Sequence, residues 1–326
     1  MTATPTTTCA MMTAPWSSTA HPAAEAVAEP TSERTADDAA DAGRSWCLLQ
    51  RRGRMRMAEP FAEYLAHPGV NISTLKEIWR MSPKHYQHLL RTPREDSAAF
   101  AFGRLVHVRV LEPDTFDERY VIVPRIDRRT KEGKLLAAHF DADVREQISE
   151  QFAEQSAAIA EAVRADPVAR KYLEGQTEHA LYWRDEETRI ECKGRVDLLG
   201  EYLVGLKTTS DLRPHSFARQ AAVLGYHLQW AFYHDGIMAI DGHDIPVVEI
   251  VVETSPPYDV MVYPILEDTL DEGRGRYRDA LVELAICRDT NEYPGLARGH
   301  EVPFCLPRWA RAEDDDTLDG LDFGDG

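Results

Sequence analysis

Two neighbouring segments hold residue types suited to chemistry. Glu191-Cys192-Lys193-Gly194-Arg195-Val196-Asp197-Leu198-Leu199 reads as a strand with an aspartate near its end. Leu203-Val204-Gly205-Leu206-Lys207-Thr208-Thr209 reads as the following strand and carries a lysine. Alternate residues of a strand share a face, so Gly205 and Lys207 point the same way. If they face Asp197 across the turn, a carboxylate and an ammonium meet at one spot. Metal-assisted hydrolysis of a phosphodiester uses such a pair: the carboxylate holds Mg²⁺, and the lysine orients or activates the attacking water and offsets charge on the phosphorane. A plain salt bridge on a surface hairpin accounts for the same two residues.

Further residues extend the constellation. His107, in Phe102-Gly103-Arg104-Leu105-Val106-His107, offers an imidazole ligand from a helix, although a lone helical histidine also serves as an ordinary core or surface residue. Gln229 and Tyr233 stand four apart in Gly225-Tyr226-His227-Leu228-Gln229-Trp230-Ala231-Phe232-Tyr233 and share one helix face. A solvated amphipathic helix explains Gln229, but less readily so aromatic a run. Arg119 to Lys134 holds six bases and two acids, a candidate phosphate-contacting stretch. The basic run Arg51-Arg52-Gly53-Arg54-Met55-Arg56 reads as a solvated linker or as a second such arm.

The elements that must position these residues follow from periodicity and capping signals. Thr74-x-x-Glu77 is a capping-box pattern, Ser82-Pro83 opens a helix through Leu90, and Ser97 starts another through Leu111. Phe102, Leu105, Val106 and Val110 give that last helix its apolar stripe. Tyr120 to Val123 reads as a strand and 140–165 as one helix. Strand-like runs follow at 178–184, 188–198 and 202–208, with turn signals between them. A helical pattern runs over 214–240, a hairpin over 247–253 and 258–265, and a final helix over 270–288. This order predicts an α/β fold with a mixed central sheet flanked by helices and a helical N-terminal part.

Composition bounds the rest. The chain has 326 residues and a formal charge of −18, and half of that charge lies in 1–45 and 307–326. Global charge therefore says little about one cleft. Residues 1–60 are expected to be a disordered low-complexity segment, 61–306 one domain, and 307–326 an acidic disordered tail. The tail suits either solubility or docking on a basic partner groove. No run of about 18 apolar residues suggests a membrane helix. Five scattered cysteines without a CxxC pair argue against a disulfide framework or a zinc ribbon and fit a cytoplasmic setting. Nucleophile-elbow, Walker A and HExxH patterns are absent.

Taken together, the motifs resemble the RecE-like exonucleases (exonuclease VIII family) of the PD-(D/E)XK nuclease superfamily, relatives of the RecB nuclease domain. Five segments carry the resemblance in order: Ile72-Ser73 through Tyr86, Phe102 through Pro113, Asp127 through Lys134, Gly194 through Thr209, and Gly225 through Tyr233. The resemblance implies a restriction-endonuclease-like core and hydrolysis of DNA with Mg²⁺, or Mn²⁺ in its place. It implies His107 and Asp197 as metal ligands, Lys207 as the catalytic lysine, and Gln229 and Tyr233 as the helix motif that positions DNA or the site. Glu178 matches an upstream carboxylate of the family less securely. Arg125, Arg128, Arg129, Lys131 and Lys134 then contact DNA. The family's 5′→3′ digestion of double-stranded DNA ends implies a phage or prophage role in DNA recombination beside a RecT-like annealing protein, with a ring-like homo-oligomer enclosing DNA. Cys287 and Cys305 lack the third late cysteine of an iron–sulfur cluster, so none is expected.

One position departs from the pattern. The family has an acid two residues before the lysine, and here that residue is Gly205. One reading is that another carboxylate substitutes, with Glu178 and Asp211 as candidates; Glu201 shares the face of Gly205 but lies about 13 Å away along a regular strand. Alternatively, the site runs with fewer ligands and more water, or the chain is a catalytically impaired nuclease fold that binds DNA ends or recombination partners. The active reading is preferred because Asp197, Lys207, His107 and Gln229 remain together.

Overall fold

Polar side chains at the chain's turns start five of the helices. Asn71 accepts from Thr74 N–H and opens α2 (Ile72–Arg80), so Asn71, rather than the expected Thr74 box, is the cap. Ser82 opens α3 (Pro83–Arg91) and Ser97 opens α4 (Ala98–Leu111). Thr130 caps α6 (Lys131–Asp141) and Ser149 caps α7 (Glu150–Ala165). Short helices α1 (Phe61–Ala66) and α5 (Phe116–Arg119) have no side-chain cap. The remaining helices are α8 (Pro214–Leu224), α9 (Tyr226–Asp241) and α10 (Glu267–Thr290). This computed structural model describes residues 53–56, 59–92 and 97–306, so the expectations for 1–52 and 307–326 lie outside the described residues.

The central sheet contains β1 (Gly53–Arg56), β4 (Gln176–Arg184), β5 (Glu191–Leu199), β6 (Leu203–Thr209), β7 (Val247–Glu253) and β8 (Val260–Pro264), side by side in that order. All neighbours are antiparallel except β6 and β7, which run parallel and are joined by the crossover through α8 and α9. A separate parallel pair joins β2 (Tyr120–Val123) to β3 (Glu146–Ser149).

Two apolar cores cover the faces of the sheet. On one face, Ile72, Leu75 and Ile78 of α2, Leu228 and Phe232 of α9 and Leu281 of α10 pack on Leu181, Trp183 and Val247. On the other, Leu105 and Val106 of α4 with Ile159 and Val163 of α7 pack on Val204, Leu206, Ile250 and Val252. The fold is therefore the expected α/β architecture, a central and mostly antiparallel six-stranded sheet with helices on both sides.

Three expectations change. The helix expected over 140–165 is two helices: Asp143 takes Arg145 N–H, and 146–149 leaves to pair with β2. The long helix over 214–240 breaks at Gly225, whose φ of 65° is left-handed. Gly53–Arg56, assigned by sequence to the disordered segment before the domain, is a strand paired with β4. Arg54 stacks 5.1 Å over the Tyr182 ring and Arg56 bonds Glu59 at 2.8 Å, so both cations already serve the sheet edge.

A buried cation ties α1 to the sheet. Lys193 is 4% exposed. Its ammonium donates to the carbonyls of Tyr64 at 2.8 Å, Leu65 at 3.1 Å and His67 at 2.6 Å. A positive charge at a helix C-terminus satisfies carbonyls the helix leaves open.

Candidate active site

The hairpin β5–β6 stays paired for only two residue pairs, Leu198–Val204 and Leu199–Leu203. That register brings Asp197 level with Gly205. Beyond it the ladder stops, and the Asp197 carboxylate accepts the Leu206 N–H at 2.9 Å. The pleat is irregular here as well. Val196 packs in the first core and Leu198 in the second, although a regular strand would put both on one face. Opposite Asp197, between the pairs Thr177–Leu198 and His179–Val196, Glu178 has a φ of 52°.

Lys207 comes to Asp197 as the sequence suggested, with Nζ 3.7 Å from Oδ2. A second carboxylate, which the sequence reading missed, lies on the other side: Glu249 Oε1 is 3.5 Å from the same Nζ. Glu249 belongs to β7, whose parallel register sets it directly beside Gly205. Its carboxyl fills the space above the glycine. A Cβ on Gly205 would stand 2.5 Å from Oε2 and 2.6 Å from Oε1.

Glu249 has no exposure to solvent. Its Oε2 accepts from the Trp230 indole, while the buried Oε1 has no hydrogen-bond partner. Burial pushes this carboxyl up against the pull of Lys207, and the nearby Asp197 charge adds to the push. Burial would pull Lys207 down, but Glu249, Asp197 and Tyr226 outweigh it and hold its ammonium above the ordinary range. Asp197 is likewise opposed by burial, yet His107, Lys207 and the Leu206 N–H keep it below the usual carboxylate range.

His107 reaches the cluster from α4. Its Nε2 lies 2.8 Å from the Leu206 carbonyl, an acceptor only, so Nε2 carries the proton. In the neutral ring the lone pair is then on Nδ1, which faces Asp197 Oδ1 at 3.7 Å. Two acceptors face each other there, an arrangement that a cation between them, or a proton on the ring, would satisfy.

The remaining residues frame this centre. Tyr233 lies against Gly194, where a Cβ would meet its ring at 2.9 Å. The Tyr233 hydroxyl interacts with the Gln229 side chain and the Arg195 backbone, and burial together with the Asp197 charge pushes its pKa up. Glu178 is engaged by Arg195, which also donates to Glu59 O at 3.0 Å. Burial first, and then Asp197, raise the Glu178 pKa despite Arg195. Asp211, the other candidate substitute, is bound to Arg213 beyond the end of β6. Lys76 of α2 and Lys207 both approach the Tyr226 ring, at 5.8 and 5.6 Å. Burial, with the Lys207 charge next, lowers Lys76 to about 7.

The basic segment lies at the surface and carries ion pairs. Arg128 pairs with Asp141 at 2.9 Å and Arg129 with Asp127 at 2.9 Å. Arg125 is exposed in the connection after β2, and Lys131 and Lys134 are exposed on α6.

A metal would find donors of the right kind here: Asp197, the Nδ1 of His107 and the Oε1 of Glu249, which has no hydrogen bond. Oxygen and imidazole ligands suit a divalent ion. Among the described residues, no three His, Cys, Asp or Glu side chains converge as closely as a metal requires, and the Lys207 ammonium lies within 3.7 Å of both carboxylates.

No curated protein matches the chain. A protein of Eubacterium rectale named "Putative exonuclease" has a similar crystal structure, with a TM-score of 0.56 at 14% identity, covering 82% of this chain and 99% of its own. That likeness concerns the fold. The model of the PDDEXK-like domain of unknown function (DUF3799) matches residues 71–302, a span that contains every residue of the cluster, and the chain belongs to this PDDEXK-like family.

Proposed function

We propose that the chain is a metal-dependent deoxyribonuclease that digests double-stranded DNA from its ends in the 5′→3′ direction. The observation that carries this reading is the partly buried Lys207 ammonium, 3.7 Å from Asp197 and 3.5 Å from Glu249. A lysine so placed stays charged at neutral pH and presents a donor to a water or to a phosphate oxygen. Hydrolysis adds that water across one P–O bond, and the ammonium offsets the charge that gathers on phosphorus-bound oxygen. Asp197 and His107 would hold the ion, which supplies a polarised phosphate and a more acidic water when bound. Gln229 and Tyr233 fix the wall behind Asp197. Arg125, Lys131 and Lys134 supply contacts to the DNA backbone, which position without reading sequence. The single strand left behind suits an annealing protein of the RecT type in phage-style recombination.

Membership in a PDDEXK-like family and the exonuclease-named structural neighbour support the nuclease class. The test is digestion of linear duplex labelled at the 5′ or the 3′ end, with Mg²⁺ or Mn²⁺, beside Lys207→Ala. Release of 5′ label by the wild type and not by the variant is the expected result. An inert wild type that still binds DNA ends without metal would favour the second reading, an impaired nuclease fold that binds ends. Gly205 and the absence, among the described residues, of three converging metal donors speak for that alternative.

A further inference from the structure

We propose that Glu249 is the site's missing acid: the carboxylate has moved from position 205 on β6 to the adjacent position on β7, and Gly205 is the steric counterpart of that move. The inference rests on the nuclease reading and names a residue that the motif does not contain.

Three independent observations converge on Glu249. Register places it beside Gly205, the position where an acid is expected. Space is the second. The three atoms nearest to a Cβ at 205 all belong to the Glu249 carboxyl, at 2.5, 2.6 and 2.8 Å, so the carboxyl and a side chain at 205 exclude each other. Bonding is the third. A fully buried carboxylate oxygen without a hydrogen bond is costly, yet Glu249 Oε1 has none and meets the Lys207 ammonium at 3.5 Å, while Oε2 is fixed by Trp230. The other nearby acids are occupied, Glu178 by Arg195 and Asp211 by Arg213. The φ of Gly205 lies outside the left-handed region, so its backbone accepts an aspartate once Glu249 is shortened.

The experiment titrates the full chain with MnCl₂ by calorimetry, with thermal melts and duplex digestion alongside. The proteins are wild type, Glu249→Gln, Glu249→Ala, Gly205→Asp and the double variant Gly205→Asp/Glu249→Ala. Glu249→Gln keeps shape and a partner for Trp230, and it is expected to lose tenfold or more in Mn²⁺ affinity while still melting cooperatively. Gly205→Asp alone crowds two carboxyls and is expected to lower the melting temperature. The double variant is expected to regain Mn²⁺ binding to within about threefold of wild type, since it returns the acid to β6. Wild-type Mn²⁺ affinity and digestion in Glu249→Gln would overturn the inference and leave the nuclease reading standing. A double variant no better than Glu249→Ala would also overturn it. A wild type that neither binds Mn²⁺ nor digests DNA would overturn both. The Glu249→Gln titration decides the matter even if Gly205→Asp fails to fold.

Discussion

Replacing Lys207 with methionine is the sharpest test of the charge cluster. The change removes the cation between the fully buried Glu249 and the partly exposed Asp197 while keeping most of the volume. At 3.5 and 3.7 Å, and with an effective dielectric of about 20, each ion pair carries about 4–5 kcal/mol of gross attraction. Desolvation offsets much of it, and removing one partner of a buried pair costs about 3–5 kcal/mol because the other charge is left stranded. The sign of the pH dependence follows from Glu249. Its folded pKa is raised, so the folded state holds a proton that the unfolded state has released, and stability falls as pH rises from the unfolded value of 4.5 through the folded one. Without Lys207 the main pull downward is gone and that window extends to higher pH. Asp197, held low in the wild type, rises in the same direction. Lys207→Met is therefore expected to lose about 3–5 kcal/mol at pH 8 and to recover part of it at pH 5, at about 1.4 kcal/mol per unit of carboxyl shift. Urea melts of wild type and variant at both pH values, in chelator so that no metal substitutes for the lysine, measure this directly. Equal losses at pH 5 and pH 8, or no loss at either, would refute the argument that Lys207 neutralises Glu249 and Asp197.

Other perturbations test the neighbouring parts. Gly205→Ala should destabilise by about 1–2 kcal/mol through overpacking against Glu249, and the same change in a Glu249→Ala background should be neutral or stabilising; chemical denaturation of all four proteins gives the coupling. Lys193→Met should cost about 3 kcal/mol and speed amide exchange at residues 64–67, since three carbonyls lose their donor. Lys76 has a folded pKa of about 7 against 10.5 unfolded, so the unfolded chain binds more protons between these values and wild-type stability rises with pH across them. Lys76→Met should then stabilise most below pH 7 and progressively less toward pH 10, and a gain that is the same at pH 6.5 and 9.5 would contradict the assigned burial.

The sequence showed the parts of this site that are local and concealed the part that is not. Asp197 and Lys207 are ten residues apart and joined by one turn, so a single hairpin brings them together. Ser82 and Ser97 announce their helices through side-chain oxygens beside the N–H groups they cap. Glu249 lacks any such mark. It sits in the buried run Val247-Val248-Glu249-Ile250-Val251-Val252, where its neighbours predict only an interior strand, and it lies 44 positions beyond Gly205 across the crossover. Even so, the strand carries an anomaly of its own. A charged residue in the middle of so apolar a run needs a buried partner. Parallel pairing of β6 with β7 is what joins Glu249 to Lys207. If Glu249 is the site's acid, Gly205 is a position whose space the next strand has taken, and only the strand that carries the carboxylate has changed.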